Sequence, residues 1–234
     1  MKQNEKVFAV IPAGGMGLRM GKKIQKQFLS LGRKPILVHT ILCFENCSAI
    51  DGIVIAVPEQ SIGTVQQMIV RWNLKKVLGV VVGGEYRQDS VYNALMFLSL
   101  DSKDIVLIHD GVRPFIRQSK ILEVIRAVRL HKAAVISVTP KDTLRMMKTN
   151  GFFAETLDRN KIQFIQTPQG FQASLITEAH RQAKKQGYYA TDDAALLEKM
   201  GFPAYRIEGS YDNMKITTQG DLDIARLILK RWKP

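Results

Sequence analysis

Cysteine is scarce in this sequence, with two in 234 residues, and that scarcity excludes a disulfide framework. Cys43 and Cys47 stand four residues apart on a segment whose apolar spacing predicts a helix. Two thiols make a poor zinc site, so they are expected on a buried helix face. Long hydrophobic runs are also missing. Stretches such as Ile105–Ile108 and Val80–Val82 fall far short of the roughly 20 residues that cross a bilayer. Val7–Ala13 follows Lys2 and Lys6 as a leader segment would, but Gly14–Lys26 offers no cleavage-like continuation. A cytoplasmic protein with no membrane partner is expected. Aromatics are only 8%, and no zinc pattern, RNP-like strand or arginine-rich tail appears, which argues against nucleic acid.

Acidic residues are the last shortage. Against 34 Lys and Arg there are 21 Asp and Glu, a net charge of +13. The excess is uneven: residues 1–34 hold eight Lys or Arg and one acid, Glu5. That basic stretch surrounds a glycine-rich loop, a combination suited to small polyphosphates. Most other lysines are expected on a solvated surface.

What is present is an alternation. Lys6–Pro12, Gly52–Pro58, Val77–Gly83, Asp104–His109 and Ala133–Thr139 are β-branched apolar runs and predict buried strands. Pro35–Asn46, Gln60–Trp72, Gln88–Leu100 and Gln118–His131 carry apolar residues at helical spacing between them. Such β–α repetition predicts an α/β, Rossmann-like, mostly parallel sheet with helices on both faces. Ligands then bind beyond the carboxyl ends of the strands, where the loops after Pro12, Gly83 and His109 share a crevice. Past Pro140 the pattern breaks. Asp142–Ile165 is polar, with a hairpin signal at Asn150-Gly151, and predicts a projecting β-arm (142–165). Helices follow at Ala173–Gln186 and Asp192–Met200, then a strand at Ala204–Glu208 and a helix at Gln219–Arg231. Ser119 and Asp192 are the expected N-caps. One domain spanning 1–234, with this arm, is the organisation implied.

Three strand ends carry chemistry. After Pro12, Gly14, Gly15 and Gly17 free backbone amides for an anion, with Arg19 and Lys26 nearby. Neither the dinucleotide fingerprint nor a Walker loop fits: the glycine spacing is wrong for one, and Lys22 lacks a following hydroxyl for the other. After Val82, Gly83-Gly84-Glu85 leads to Arg87 and Ser90 at a helix start, which favours anions. After Ile108, Asp110 can hold Mg²⁺ against phosphate oxygens, and Arg113 can meet a second phosphate. His109 is expected to pack at its strand end rather than bind metal.

These pieces come in a telling order: PAGGMGLRMG, KQFL, GGEYRQDSV, HDGVRPF, DTL, LDRN, QTPQGF, TDDA and DNMKIT. In that order the chain, from about Lys6 to Leu229, resembles the 2-C-methyl-D-erythritol 4-phosphate cytidylyltransferases of the non-mevalonate isoprenoid pathway. The resemblance implies a nucleotidyltransferase fold, CTP and methylerythritol phosphate as substrates, Mg²⁺, and a homodimer that exchanges its arms. It also assigns roles. Ala13, Gly14, Gly15 and Gly17 would wrap the CTP phosphates and base edge, and Gly84, Glu85 and Ser90 would complete the cytidine pocket. Arg19 and Lys26 would grip the triphosphate, and Asp110 would hold the metal. Arg113, Thr143, Thr167, Thr191 and Lys215 would surround the sugar phosphate, with Arg159 reaching it from the partner subunit.

The sequence departs from the usual family pattern at three places. Gln25 replaces a proline before Lys26, so a less rigid loop is expected there. Ala13-Gly14-Gly15 stands where Ala-Ala-Gly is common, and Gly111-Val112 replaces a pair of alanines. Two other readings compete: a ribitol-5-phosphate cytidylyltransferase, which shares several motifs, and a non-catalytic CTP-binding regulator. The Leu157–Asn160 and Thr191–Ala194 segments favour methylerythritol phosphate, and retention of Lys26 argues against a sensor.

Overall fold

A computed structural model describes residues 5–14 and 25–232. Its centre is a seven-stranded sheet in which β1 (Val7–Pro12) lies between β4 (Gly52–Val57) and β6 (Ile105–Ile108), paired in parallel with both. β5 (Val77–Val82) adds an edge beyond β4. On the other side follow β10 (Phe164–Gln172), β7 (Ala133–Val138) and β11 (Tyr205–Glu208). β2 (Ser30–Leu31) and β3 (Lys34–Pro35) form a small separate ribbon. The chain steps from β1 outward to β4 and β5, then returns to lay β6 on the opposite side of β1. The reversal opens the crevice between the loops after β1 and β6, where an α/β sheet binds its ligand.

The helices cover both faces, for reasons visible in β1. Val7, Ala9 and Ile11 point to one face and meet α1 (Ile36–Glu45), α2 (Ile62–Arg71) and α4 (Gln118–His131). Phe8 and Val10 point to the other and meet α3 (Arg87–Phe97), α5 (Ala173–Lys185) and α6 (Asp193–Lys199). A strand buried on both sides needs an unbroken apolar run, and β1 is one. α7 (Gln219–Arg231) packs Leu222, Ala225 and Ile228 on Val112 and Phe115, which fixes the loop carrying Asp110.

Two expectations need correction. Ser119 is not a cap: α4 begins at Gln118 after an extended Arg117, so Ser119 lies within the first turn. Gln166–Phe171, for which the sequence predicts no element, is buried strand, and Phe164 and Ile165 open that strand rather than end the arm. β10 runs antiparallel to both β6 and β7, with a bulge between Ile165 and Gln169 that holds Pro168. Its polar, proline-containing sequence hides the strand, because a bulge tolerates proline where a regular ladder does not. The arm itself is β8 (Leu144–Met147) paired with β9 (Phe153–Leu157), joined through Asn150-Gly151 with Gly151 at φ +87°. Cys43 and Cys47 are buried thiols on and just past α1, and burial pushes the Cys43 thiol up to about 12. Among the described residues no helix is long and apolar enough to cross a membrane.

Candidate active site

The crevice holds a cavity of about 350 Å³ lined by the loop after β1 (Pro12, Ala13, Gly14), Lys26 and Gln27, Gly84–Arg87 with Ser90, then Asp110, Val112 and Lys215. Eight of the expected site residues therefore meet in one place: Ala13, Gly14, Lys26, Gly84, Glu85, Ser90, Asp110 and Lys215. Gly15, Gly17 and Arg19 lie outside the described residues.

The first loop is held by Ala13 N donating to Ala56 O at 2.8 Å. The second is held by Ser90, whose hydroxyl accepts from Gly84 N at 3.1 Å and donates to Tyr86 O at 3.2 Å. A Cβ at Gly84 would overlap the Cβ of Asp89, so only glycine lets the loop fold onto α3. Gly111 has a similar reason. A Cβ there would sit 2.9 Å from the Cβ of Ala13, so glycine lets the β1 and β6 loops approach across the crevice.

At the cavity floor Asp110 collects cations. Its Oδ1 lies 2.9 Å from Arg87 Nε, and its Oδ2 lies 2.9 Å from Lys215 Nζ and 3.5 Å from Arg113 Nε. Burial opposes the carboxylate's charge, but Arg87, then Lys215 and Arg113, outweigh it and hold the carboxyl well below the usual carboxylate range. Arg87 also reaches Asp193 Oδ2 at 2.6 Å, and the two carboxylates keep its guanidinium protonated against burial. Asp193 in turn meets His180 Nε2 at 3.2 Å. Arg87, Arg113 and Lys215 thus converge on Asp110, and Lys26 and Glu85 line the same cavity.

Behind Asp110 lies a chain of hydrogen bonds. Asp110 N donates to Thr167 Oγ1 at 3.1 Å, Thr167 Oγ1 to His109 Nδ1 at 3.0 Å, and His109 Nε2 to Arg113 O at 2.9 Å. That order requires a neutral imidazole, and burial lowers the His109 pKa to about 4. Asn213 then joins Arg113 to β10: its carbonyl accepts from Arg113 Nη1 at 2.8 Å and its Nδ2 donates to Thr167 O at 2.8 Å.

Five expected acceptor-site residues do not line the cavity. The Thr167 hydroxyl is buried and engaged in the chain just described. Thr143 is exposed at the root of the arm, and Thr191 is exposed two residues before Asp193. Arg159 is exposed on the turn after β9 and donates to Lys141 O at 2.6 Å. Arg113 is nearly buried beneath Asp110. Sequence reasoning also left out Arg87 from the site, although it noted the residue at the helix start. An arginine there looks like any surface cation until Asp110 and Asp193 are brought to it. The loop before Lys26, expected to be less rigid, lies up to position 24 outside the described residues, while Gln25 Oε1 accepts from Gln27 Nε2 at 2.8 Å and Ser61 Oγ at 3.0 Å.

Comparison with known proteins agrees with this geometry. The family model for 2-C-methyl-D-erythritol 4-phosphate cytidylyltransferase matches residues 7–231. The enzyme of that name from Desulforamulus reducens is 43% identical over 96% of each chain. That from Geobacillus thermodenitrificans is 44% identical over 94% of this chain and 96% of its own. Among solved structures, the 4-diphosphocytidyl-2C-methyl-D-erythritol synthase of Anaerococcus prevotii superposes with a TM-score of 0.84 at 29% identity, covering 97% of each chain. The Thermus thermophilus cytidylyltransferase gives 0.79 at 29% identity over 96% of this chain and 99% of its own.

Proposed function

The chain belongs to the 2-C-methyl-D-erythritol 4-phosphate cytidylyltransferase family, and on that premise we propose how its own residues divide the work. The enzyme transfers CMP from CTP to 2-C-methyl-D-erythritol 4-phosphate, giving 4-diphosphocytidyl-2-C-methyl-D-erythritol and pyrophosphate. The acceptor phosphate attacks the α-phosphorus as an anion, so the reaction needs no general base. The barrier is repulsion between two polyanions and the charge that grows during in-line displacement. Cations fixed in advance lower it, because they need no reorganisation as the charge appears.

The observation that carries this reading is the cluster of Arg87, Arg113 and Lys215 around Asp110, with Lys26 in the same cavity. Ala13, Gly14, Gly84, Glu85 and Ser90 form the nucleotide wall, with Gly15 and Gly17 expected to continue it. Lys26 and Arg19 bind the triphosphate, Lys215 binds the acceptor phosphate, and the nearly buried Arg113 acts through Asp110. Thr167 acts through Asp110, whose backbone it holds. Placing both reactants in line can itself supply roughly 7–11 kcal/mol.

Among the described residues no group of three or more His, Cys, Asp or Glu could hold a metal alone. Asp110 suits Mg²⁺ all the same, since that ion takes one or two carboxylates and completes its shell with substrate phosphates and water. Mg²⁺ bound there neutralises phosphate charge and orients the phosphates. The arm, with Met147, Phe152 and Phe153 each more than 60% exposed, supports an arm-exchanged homodimer in which Arg159 and Thr143 serve the neighbour's acceptor pocket. Free thiols and the lack of a membrane-crossing helix among the described residues support work in the cytoplasm.

Lys26→Ala tests the division of labour. Removing one preorganised donor at developing charge lowers kcat about 10²–10³-fold, with the melting temperature unchanged. Turnover within a few-fold of wild type would take Lys26 out of the transition state.

A further inference from the structure

Lys26 sits between two glutamines whose side chains lock its turn. Gln25 Oε1 accepts from Gln27 Nε2 at 2.8 Å and from Ser61 Oγ at 3.0 Å, and Gln27 Nε2 also donates to Ala13 O at 2.6 Å. One relay of side chains therefore runs from the start of α2, past both neighbours of Lys26, to the loop after β1. The backbone closes the turn, with Phe28 N donating to Gln25 O at 3.0 Å and Leu29 N to Lys26 O at 3.1 Å.

Ser61 anchors this relay from a buried position. It ends the 3-10 turn that leads into α2, with helical backbone angles, and its hydroxyl is turned to Gln25. Gln25 itself holds φ at −62°, the angle a proline ring would impose. Its side chain does by hydrogen bonding what a ring would do by covalent closure.

We propose that Gln25 is a positioning residue for Lys26, fixing the lysine's backbone through the Ser61–Gln25–Gln27–Ala13 relay. Gln25 does not line the cavity, so it acts through its neighbour. The proposal rests on the reading of Lys26 as a cation of the transition state.

The test compares kcat, KM for CTP and melting temperature in Gln25→Ala, Ser61→Ala, the double variant, Gln25→Pro and Lys26→Ala. Gln25→Ala is expected to lower kcat about tenfold, within the range that a misplacement near 1 Å can produce, while KM changes less than about twofold. Ser61→Ala acts in the same direction, and the double variant is no slower than Gln25→Ala, because both break one tether. Gln25→Pro recovers most of the lost kcat, since the ring restores the angle without the hydrogen bonds. Three results would overturn the proposal: Gln25→Ala melting lower with kcat unchanged, Gln25→Pro as slow as Gln25→Ala, or losses that multiply in the double variant. Full turnover by Lys26→Ala would instead remove the reading of Lys26 on which the proposal stands.

Discussion

His109 touches no substrate in this account, yet its ring orients the hydroxyl that holds the Asp110 backbone. Its Nδ1 accepts from Thr167, which in turn accepts from the Asp110 amide, so a second ring proton would reverse the first bond and leave the Thr167 hydroxyl proton without that acceptor. Burial puts the folded-state pKa at about 4, against about 6.5 in the unfolded chain. Between these values the unfolded chain binds a proton that the folded one refuses. His109 therefore withdraws stability as pH drops from about 6.5, with a slope of up to one proton, and its contribution levels off below about 4. His39, also lowered by burial, adds to the same window. Asp110 and Asp193 do not, because their depressed pKa values withdraw stability only below the usual carboxylate range. Urea unfolding of wild type and His109→Gln between pH 4 and 7 should show a shallower pH slope in the variant. Equal slopes would mean that His109 titrates normally. At this scale much was legible: Asp110 follows from residue type and strand-end position and Lys26 from the cations after the glycine loop, while Lys215 comes with the family resemblance alone. Arg87 was not, because its two carboxylates come from β6 and α6, 23 and 106 residues away.

At the scale of elements, the parallel core is readable and the antiparallel strand is not. β1, β4 and β6 are continuous apolar runs, and a strand buried on both faces can be little else. β10 is buried from Gln166 to Phe171 but carries Gln166, Thr167, Pro168 and Gln169, whose polar groups are satisfied by contacts far away in sequence. Gln169 shows the use of this. Its Oε1 accepts from Asp193 N and Ala194 N, and its Nε2 donates to Asp192, so the strand fastens the first turn of α6. Asp192, the expected N-cap, accepts from Ala195 N at 2.9 Å. Asp192→Ala removes the cap and strands Gln169 Nε2, so a loss of about 1–2 kcal/mol is expected in denaturant unfolding. A change under about 0.3 kcal/mol would show that α6 is set by packing alone.

For the whole molecule, the arm is the unfinished part. Among the described residues β8 and β9 pair only with each other, and a lone two-stranded ribbon is marginal in water. A twofold dimer would cover it and share two sites. Suppose inactive Lys26→Ala and Arg159→Ala subunits are unfolded and refolded together in equal amounts. Half the dimers are then mixed, each with one intact site, so about a quarter of all sites should recover. A verified mixed dimer with no recovered activity would confine Arg159 to its own subunit.

The central claim is that the Asp110 cation cluster is where CMP is transferred. Pyrophosphate release from CTP tests it most directly, measured with methylerythritol 4-phosphate as acceptor on wild type and Asp110→Asn. The account predicts acceptor-dependent release by wild type, little with ribitol 5-phosphate, and loss of turnover in the variant at any practical Mg²⁺ concentration. The neutral amide is a poor ligand for a hard cation and leaves Arg87, Arg113 and Lys215 without their common partner. Normal release by a folded Asp110→Asn enzyme, with normal Mg²⁺ dependence, would contradict it.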